Sequence, residues 1–137
     1  MTPQQIRAVQ SSWAGIITRN EEVAELLYQR LFELAPEYQR LFRVDPAEQH
    51  RKLAHMLDVV VAGLRKFELT APALEELGRK HIEYGVTDEM YDTMGEALLW
   101  SLDRLIGAEF TPELKESWTA VYGALAEVLR SAAKSSP

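Results

Sequence analysis

The chain has 137 residues, no cysteine and a formal net charge of −6 at pH 7. A chain of this length can bury one sizeable core, so we expect a single domain over residues 1–137. The lack of cysteine excludes disulfides, thiolate metal sites and cysteine nucleophiles, and an acidic chain with scattered lysine and arginine argues against non-specific nucleic-acid binding.

The first third of the chain predicts two long helices and a short one. A capping box at Thr2 starts the first helix, which should run to about Thr18. Asn20 can cap the second helix, and Pro36 ends it because proline cannot continue the backbone ladder. The stretch Pro36–Phe42 then predicts a short extra helix set at an angle.

The remaining chain predicts four more helices. Asp45 is a start signal for a long helix over Pro46–Phe67, and a shorter helix follows over Leu74–Tyr84. Another pattern opens at Thr87 and closes at Gly107, and the last helix starts at Thr111. No stretch alternates with period two, so we predict an all-α domain without strands.

No segment of the chain predicts a membrane span or a targeting signal. The N-terminal sequence MTPQQIRAVQ lacks the apolar run of a signal peptide. The longest uninterrupted apolar run, Val59–Leu64, is far too short to cross a bilayer. We therefore expect a soluble, cytoplasmic protein that does not bind membranes.

One predicted helix carries a histidine on an apolar face. Leu74, Leu77 and His81 fall at positions i, i+3 and i+7 and share that face. Gly85 can end the helix in a left-handed conformation. Spacing alone favours a core histidine bonded to a backbone carbonyl over a metal ligand. His55 points away from the inward face of its own helix and should lie on the surface.

Six segments in chain order carry a family resemblance: SSW ending at Trp13, LLYQRLFELAPEYQRLF over Leu26–Phe42, QHRKL from Gln49, LGRKHIEYGV from Leu77, YDTMGEALL from Tyr91 and SWTAVYG ending at Gly123. Together they resemble globins, especially single-domain bacterial, neuroglobin-like and flavohaemoglobin-type globin sequences. Helical periodicity alone leaves bundle and globin-like packing open. The resemblance implies a globin-like fold of six to eight helices around a haem, with one globin domain over 1–137.

The resemblance implies that His81 is the axial ligand of a haem b iron, which needs an apolar slot and one axial nitrogen. Phe42 would stack on the porphyrin, and Tyr91 would polarise the proximal imidazole. Lys52 would lie near the rim, where it could pair with a propionate or remain solvated. The remaining haem contacts that the resemblance implies are Leu53, Leu57, Leu77, Val86, Met94 and Leu98.

The distal, gas-binding side is implied by two further positions. Tyr28 lies eight residues before Pro36, where the family places its distal tyrosine. Helical spacing cannot separate Gln49 from His50, but the family interval to the proximal histidine fits Gln49. Leu53 would then stand over the iron.

The implied function is reversible, high-affinity oxygen binding, of the kind used in oxygen transport, with CO and NO as other ligands. The alternative is nitric oxide dioxygenation with an external reductase, because the chain ends without a flavin or nicotinamide domain. A haem-based sensor is a third class, but no output domain is visible. Flavohaemoglobins carry a glutamate on the last helix where this chain has Ala133, which weakens the case for peroxidase-like chemistry.

Overall fold

The computed structural model describes residues 1–41, 45–83 and 85–135, apart from the side chains of 82–83 and 133–135. Its α-helices are α1 (Pro3–Ile16), α2 (Asn20–Leu34), α3 (Pro46–Ala62), α4 (Phe67–Glu83), α5 (Asp88–Ile106) and α6 (Pro112–Ser135). Short 3₁₀ helices cover Ile17–Arg19, Pro36–Leu41, Leu64–Lys66 and Gly107–Glu109. The described residues contain no strand, so the all-α prediction is confirmed. None of their helices has the length and apolar content that crossing a bilayer requires.

Most helix ends follow their capping signals. The Thr2 hydroxyl accepts from the Gln5 amide at 3.1 Å, and the Gln5 side chain accepts from the Thr2 amide at 2.9 Å. Gly107 ends α5 with a φ of 73°, a conformation that favours glycine. Asn20 is predicted to cap α2 but is its first residue instead. Its side-chain amide donates to a carboxylate oxygen of Asp58 at 2.6 Å, and a charged acceptor makes the stronger bond.

The boundary between α3 and α4 differs from the prediction. The helix expected to continue to Phe67 ends at Ala62, because Gly63 opens a tighter turn that leads into a 3₁₀ helix. The next helix starts at Phe67 instead of Leu74 and passes through Pro72. Proline lacks a backbone N–H, so Pro72 removes one backbone hydrogen bond from α4. This loss falls near the start of a long helix. Tertiary packing can therefore carry the helix through it.

The core lies where α2 crosses α3 and α5 and where α6 packs against α1 and α4. Trp13 and Trp118 meet edge to face, with ring centroids 6.1 Å apart, an arrangement that aromatic pairs prefer. Each fully buried aliphatic side chain contributes about 1.5–3 kcal/mol relative to an exposed one. The largest fully buried aliphatic side chains of this core belong to Val9, Val23, Leu27, Leu31, Leu64, Leu102 and Val121.

Gly78 sets the distance between α4 and α6. A Cβ atom at this position would lie 2.5 Å from the carbonyl oxygen of Leu129. The backbone of α6 therefore occupies the space that a side chain at position 78 would need on the apolar face of α4. This close approach holds the end of α4, including His81, against the last helix.

Candidate functional site

A cavity of about 780 Å³ lies among α2, α3, α4, α5 and α6. Most of its lining side chains are apolar, and its volume is within the range of small-molecule and cofactor sites. The structure brings together every described residue that the sequence analysis nominates for the site. The predicted site residues that line the cavity are Tyr28, Gln49, Lys52, Leu53, Leu57, Leu77, His81, Val86, Tyr91, Met94 and Leu98. Phe42, which is also nominated, lies outside the described residues.

The end of α4 places His81 and Val86 on the cavity wall. Gly85 has a φ of 90°, in the left-handed region that glycine adopts without strain. The Val86 amide donates to the His81 carbonyl at 2.9 Å. This bond is the six-to-one contact of a Schellman motif. A local stop signal in the sequence therefore determines the position of the histidine and of the next apolar residue.

The His81 ring is held by a hydroxyl. Its Nδ1 atom lies 3.1 Å from the Tyr91 hydroxyl oxygen, and the two ring centroids are 6.0 Å apart. Burial lowers the pKa of His81, which favours the neutral imidazole. No described residue hydrogen-bonds to Nε2, so this nitrogen is left for another partner. The side chain of Ala133, at the position of the family's glutamate, lies outside the described side chains.

Two residues of α6 that the sequence analysis does not nominate hold Tyr91. The Tyr122 hydroxyl donates to the Tyr91 carbonyl at 2.6 Å. The guanidinium of Arg130 lies 5.4 Å from the centroid of the Tyr91 ring. One of its nitrogens donates to Asp92 at 2.7 Å and to the carbonyl of Asp88 at 3.1 Å. The only signal in the sequence is the eight-residue spacing on α6, which places both side chains on one face.

The Tyr28 ring is packed between helices. Phe32 of α2 lies near-parallel to it at 6.0 Å between centroids, and His50 of α3 lies near-parallel at 5.7 Å. Burial raises the pKa of Tyr28 to about 12. Its hydroxyl therefore stays protonated at all physiological pH values and can act as a hydrogen-bond donor.

The structure distinguishes the two α3 residues that helical spacing leaves open. Gln49 is only 8% exposed and lines the cavity. Its side-chain amide makes no hydrogen bond to any described residue. The partly buried His50 is not among the lining residues and stacks on Tyr28 instead. Of the two adjacent residues, Gln49 is thus the one that presents a polar group, an amide with two N–H donors, to the cavity.

Among the described residues, two cationic side chains line the cavity. Lys52 has a 68% exposed side chain, and its Nζ atom lies 3.3 Å from a Glu48 carboxylate oxygen. Such a surface ion pair contributes little to the free energy of folding. Arg40, from the 3₁₀ helix before α3, also lines the cavity and is not nominated by the sequence analysis. The sequence feature that could have identified Arg40 as a site residue is its position in the segment before Phe42. Both cations can pair with carboxylates of a bound molecule at low cost.

Within the described ranges, no group of three or more histidine, aspartate or glutamate residues could hold a metal ion. One imidazole on an apolar wall instead suits a metal whose other ligands come from a prosthetic group. The residues present therefore fit a haem-sized, carboxylate-bearing group with one protein ligand.

Comparison with known sequences supports this interpretation. The sequence model of the globin family matches residues 25–129. The chain is 27% identical over 133 residues to a flavohemoprotein of Rhizobium meliloti (strain 1021). That alignment covers 94% of this chain and 33% of the relative, so the chain spans about a third of the relative's length.

Two solved structures resemble the fold closely. One is an engineered carbene transferase, a candidate nitric oxide dioxygenase from Rhodothermus marinus. It has a TM-score of 0.90 and 23% identity, covering 98% of this chain and 94% of that chain. The other is a bacterial globin from Campylobacter jejuni, with a TM-score of 0.85 and 22% identity, covering 97% and 96%. At these identities the likenesses show the globin fold alone.

Proposed function

The chain belongs to the globin family, whose members bind haem, and from this premise we propose that it binds dioxygen reversibly and with high affinity at a haem b ligated by His81. His81 lies on the wall of a largely apolar cavity with Nδ1 engaged by Tyr91, so Nε2 remains for the iron. A histidine that binds metal normally donates its other N–H to a neighbouring group, as this geometry allows.

The lining residues fit each part of the cofactor. A haem held in the cavity by His81 would supply an iron that can bind a diatomic gas, such as O₂, CO or NO. Lys52 and Arg40, which line the cavity, would pair with its carboxylates. The apolar contacts proposed for its two faces are Leu53, Leu57, Leu77, Val86, Met94 and Leu98.

Tyr28 and Gln49 would retain the gas. The phenol presents one donor on a ring held by stacking, and the amide presents two N–H groups. Hydrogen bonds to a charged acceptor contribute about 1.5–3 kcal/mol, which corresponds to about 10- to 150-fold slower ligand loss. Leu53, which would stand over the iron, would keep water away from the gas.

Absorption spectra of the purified protein test the proposal directly. We expect the ferrous protein to form a stable oxygen complex that returns to the unliganded spectrum when oxygen is removed. A protein that binds no haem, or that is oxidised at once by oxygen without a detectable complex, would contradict reversible binding.

The unliganded ferrous form should be mainly five-coordinate. Gln49 is a poor iron ligand, and His50 is stacked on Tyr28 outside the cavity wall. The ferrous spectrum without gas measures this, and His50→Ala should leave it unchanged. A six-coordinate bis-histidine spectrum that disappears in His50→Ala would show that His50 can replace Gln49 at the iron.

Oxygen release should be independent of pH over the range in which phenols normally titrate. The raised pKa of Tyr28, about 12, keeps its hydroxyl protonated and donating at about pH 10, where an ordinary tyrosine would be half ionised. Stopped-flow oxygen dissociation from about pH 6 to about pH 11, on both sides of the ordinary phenol pKa, tests this. An acceleration centred near the ordinary phenol pKa would mean that the hydroxyl is solvated and not buried.

Nitric oxide dioxygenation is the second candidate. It is favoured by the likeness to a flavohemoprotein and to a structure described as a candidate nitric oxide dioxygenase. One nitric oxide, one dioxygen and one electron give one nitrate, so an external reductase must return the iron to the ferrous state after each turnover. Sustained nitrate production with such a reductase would support this activity. A single turnover without re-reduction would favour the oxygen carrier.

A further inference from the structure

We propose that Arg130 is a positioning residue for the Tyr91 hydroxyl that faces His81, and that its positive charge keeps this hydroxyl a weak hydrogen-bond acceptor. The proposal rests on the proposed haem ligation by His81. It extends that function by assigning electronic control of the ligand to a residue of the last helix.

The Arg130 guanidinium lies over the Tyr91 ring and hydrogen-bonds to residues before and after Tyr91 in the sequence. It donates to the carboxylate of Asp92 at 2.7 Å and to the carbonyl of Asp88 at 3.1 Å. These two residues flank Tyr91 in the first part of α5, and the guanidinium carbon lies 5.4 Å from the Tyr91 ring centroid. Arg130 thus connects α6 to α5 at the residue that contacts His81.

The buried position of the Arg130 guanidinium has an energetic cost, which indicates that its contact with Tyr91 is specific. The Nε atom of Arg130 is buried and has no hydrogen-bond partner among the described residues. An unpaired buried donor is expensive, while the side chain of Asp92, which anchors the same guanidinium, is 76% exposed. The contact with the aromatic face is what remains to compensate the buried side of the cation.

Tyr122 holds the other end of Tyr91. Its hydroxyl donates to the Tyr91 carbonyl at 2.6 Å. Its ring occupies space that Gly95 leaves open, since a Cβ there would lie 2.8 Å from a ring carbon. The backbone and the ring of Tyr91 are therefore both held from α6, and the hydroxyl is the part that meets the histidine.

This arrangement has an electronic consequence. A cation over the ring face draws electron density away from the phenol oxygen. An imidazole that donates Nδ1–H to a weak acceptor stays neutral and gives less electron density to a metal. Such a ligand favours ferrous iron, the form that binds oxygen reversibly.

Arg130→Gln in the haem-loaded protein tests the role, with Arg104→Gln as the matched control. The guanidinium of Arg104 lies 4.6 Å from the Trp100 ring centroid, and neither residue lines the cavity. At a fixed applied redox potential, we expect Arg130→Gln to raise the ratio of ferric to ferrous protein about threefold. This is the change that the free energy of one cation–ring contact corresponds to. This is a midpoint potential lower by about 28 mV, at about 59 mV per tenfold. The iron–histidine stretching band should rise in frequency, and Arg104→Gln should change neither property.

Asp92→Ala separates positioning from a simple charge effect and avoids a folding problem, because Asp92 is largely exposed. Removing a negative charge alone would raise the midpoint potential. Releasing the guanidinium from the ring should lower it, as in Arg130→Gln. In a Tyr91→Phe background, neither substitution should shift the potential more than Arg104→Gln does.

An unchanged potential in Arg130→Gln, a higher one in Asp92→Ala, or an equal shift without the Tyr91 hydroxyl would each overturn the proposal. A wild-type protein that binds oxygen reversibly while the variants show these results would leave the proposed function standing. A wild-type protein without haem would overturn both.

Discussion

Replacing His81 with alanine is expected to abolish specific haem retention while most of the helical structure remains. His81 is the only histidine among the described residues that line the cavity, and its Nε2 atom has no partner among them. Loss of a partner that merely orients a metal ligand typically costs about 10- to 100-fold in affinity. Loss of the ligand should cost more, so we expect at least about 100-fold faster haem transfer to an acceptor globin.

Two controls make this result specific to ligation. His55→Ala removes the same side chain from an exposed position on α3 and should leave haem retention unchanged. Added imidazole should occupy the space left in His81→Ala and restore a histidine-ligated spectrum. If His81→Ala retained haem with an unaltered spectrum, the ligand assignment would have to be abandoned.

The second large effect is expected at Tyr28. Tyr28→Phe should accelerate oxygen dissociation by about 10- to 150-fold, the value of one hydrogen bond to a charged acceptor. Gln49→Leu should have a smaller effect, because glutamine has more rotamers to freeze than a ring that stacks on Phe32 and His50. The low exposure of Gln49 limits this difference, since the amide cannot turn freely into solvent.

Carbon monoxide separates hydrogen bonding from changes in cavity volume. It is a weaker acceptor than iron-bound oxygen, so its release should change much less in both variants. Stopped-flow measurements of both gases on Tyr28→Phe and Gln49→Leu give the comparison. Unchanged oxygen release in Tyr28→Phe, or equal effects on both gases, would contradict a donor role for Tyr28.

Features that depend on neighbouring residues were predictable from the sequence. The capping box at Thr2 and the glycine ends at Gly85 and Gly107 are formed by residues within one turn of each other, and the structure confirms them. Helical spacing also placed His81 on the inward face of α4, where it lines the cavity. The assignment of its ligand role came from the family resemblance and remains a proposal.

The boundary between α3 and α4 was predicted incorrectly because packing competes there with local propensity. The predicted helix starts at Leu74, yet α4 begins at Phe67 and includes Pro72. Gly63 shortens α3 and allows close approach of α4, since a Cβ there would lie 2.7 Å from a Thr70 oxygen. The stabilisation from burying a helix face exceeds the cost of one missing backbone bond.

The sequence by itself determined the helix pattern, most helix ends and the family. Only the tertiary structure decided which polar groups meet at the cavity. Gln49 and His50 are adjacent on one helix, and spacing could not tell which faces the cavity and which stacks on Tyr28. Arg130 reaches Tyr91 from a different helix. Spacing within a helix reports neighbours three or four residues apart. Contacts between helices depend on how whole faces pack, which no single segment specifies.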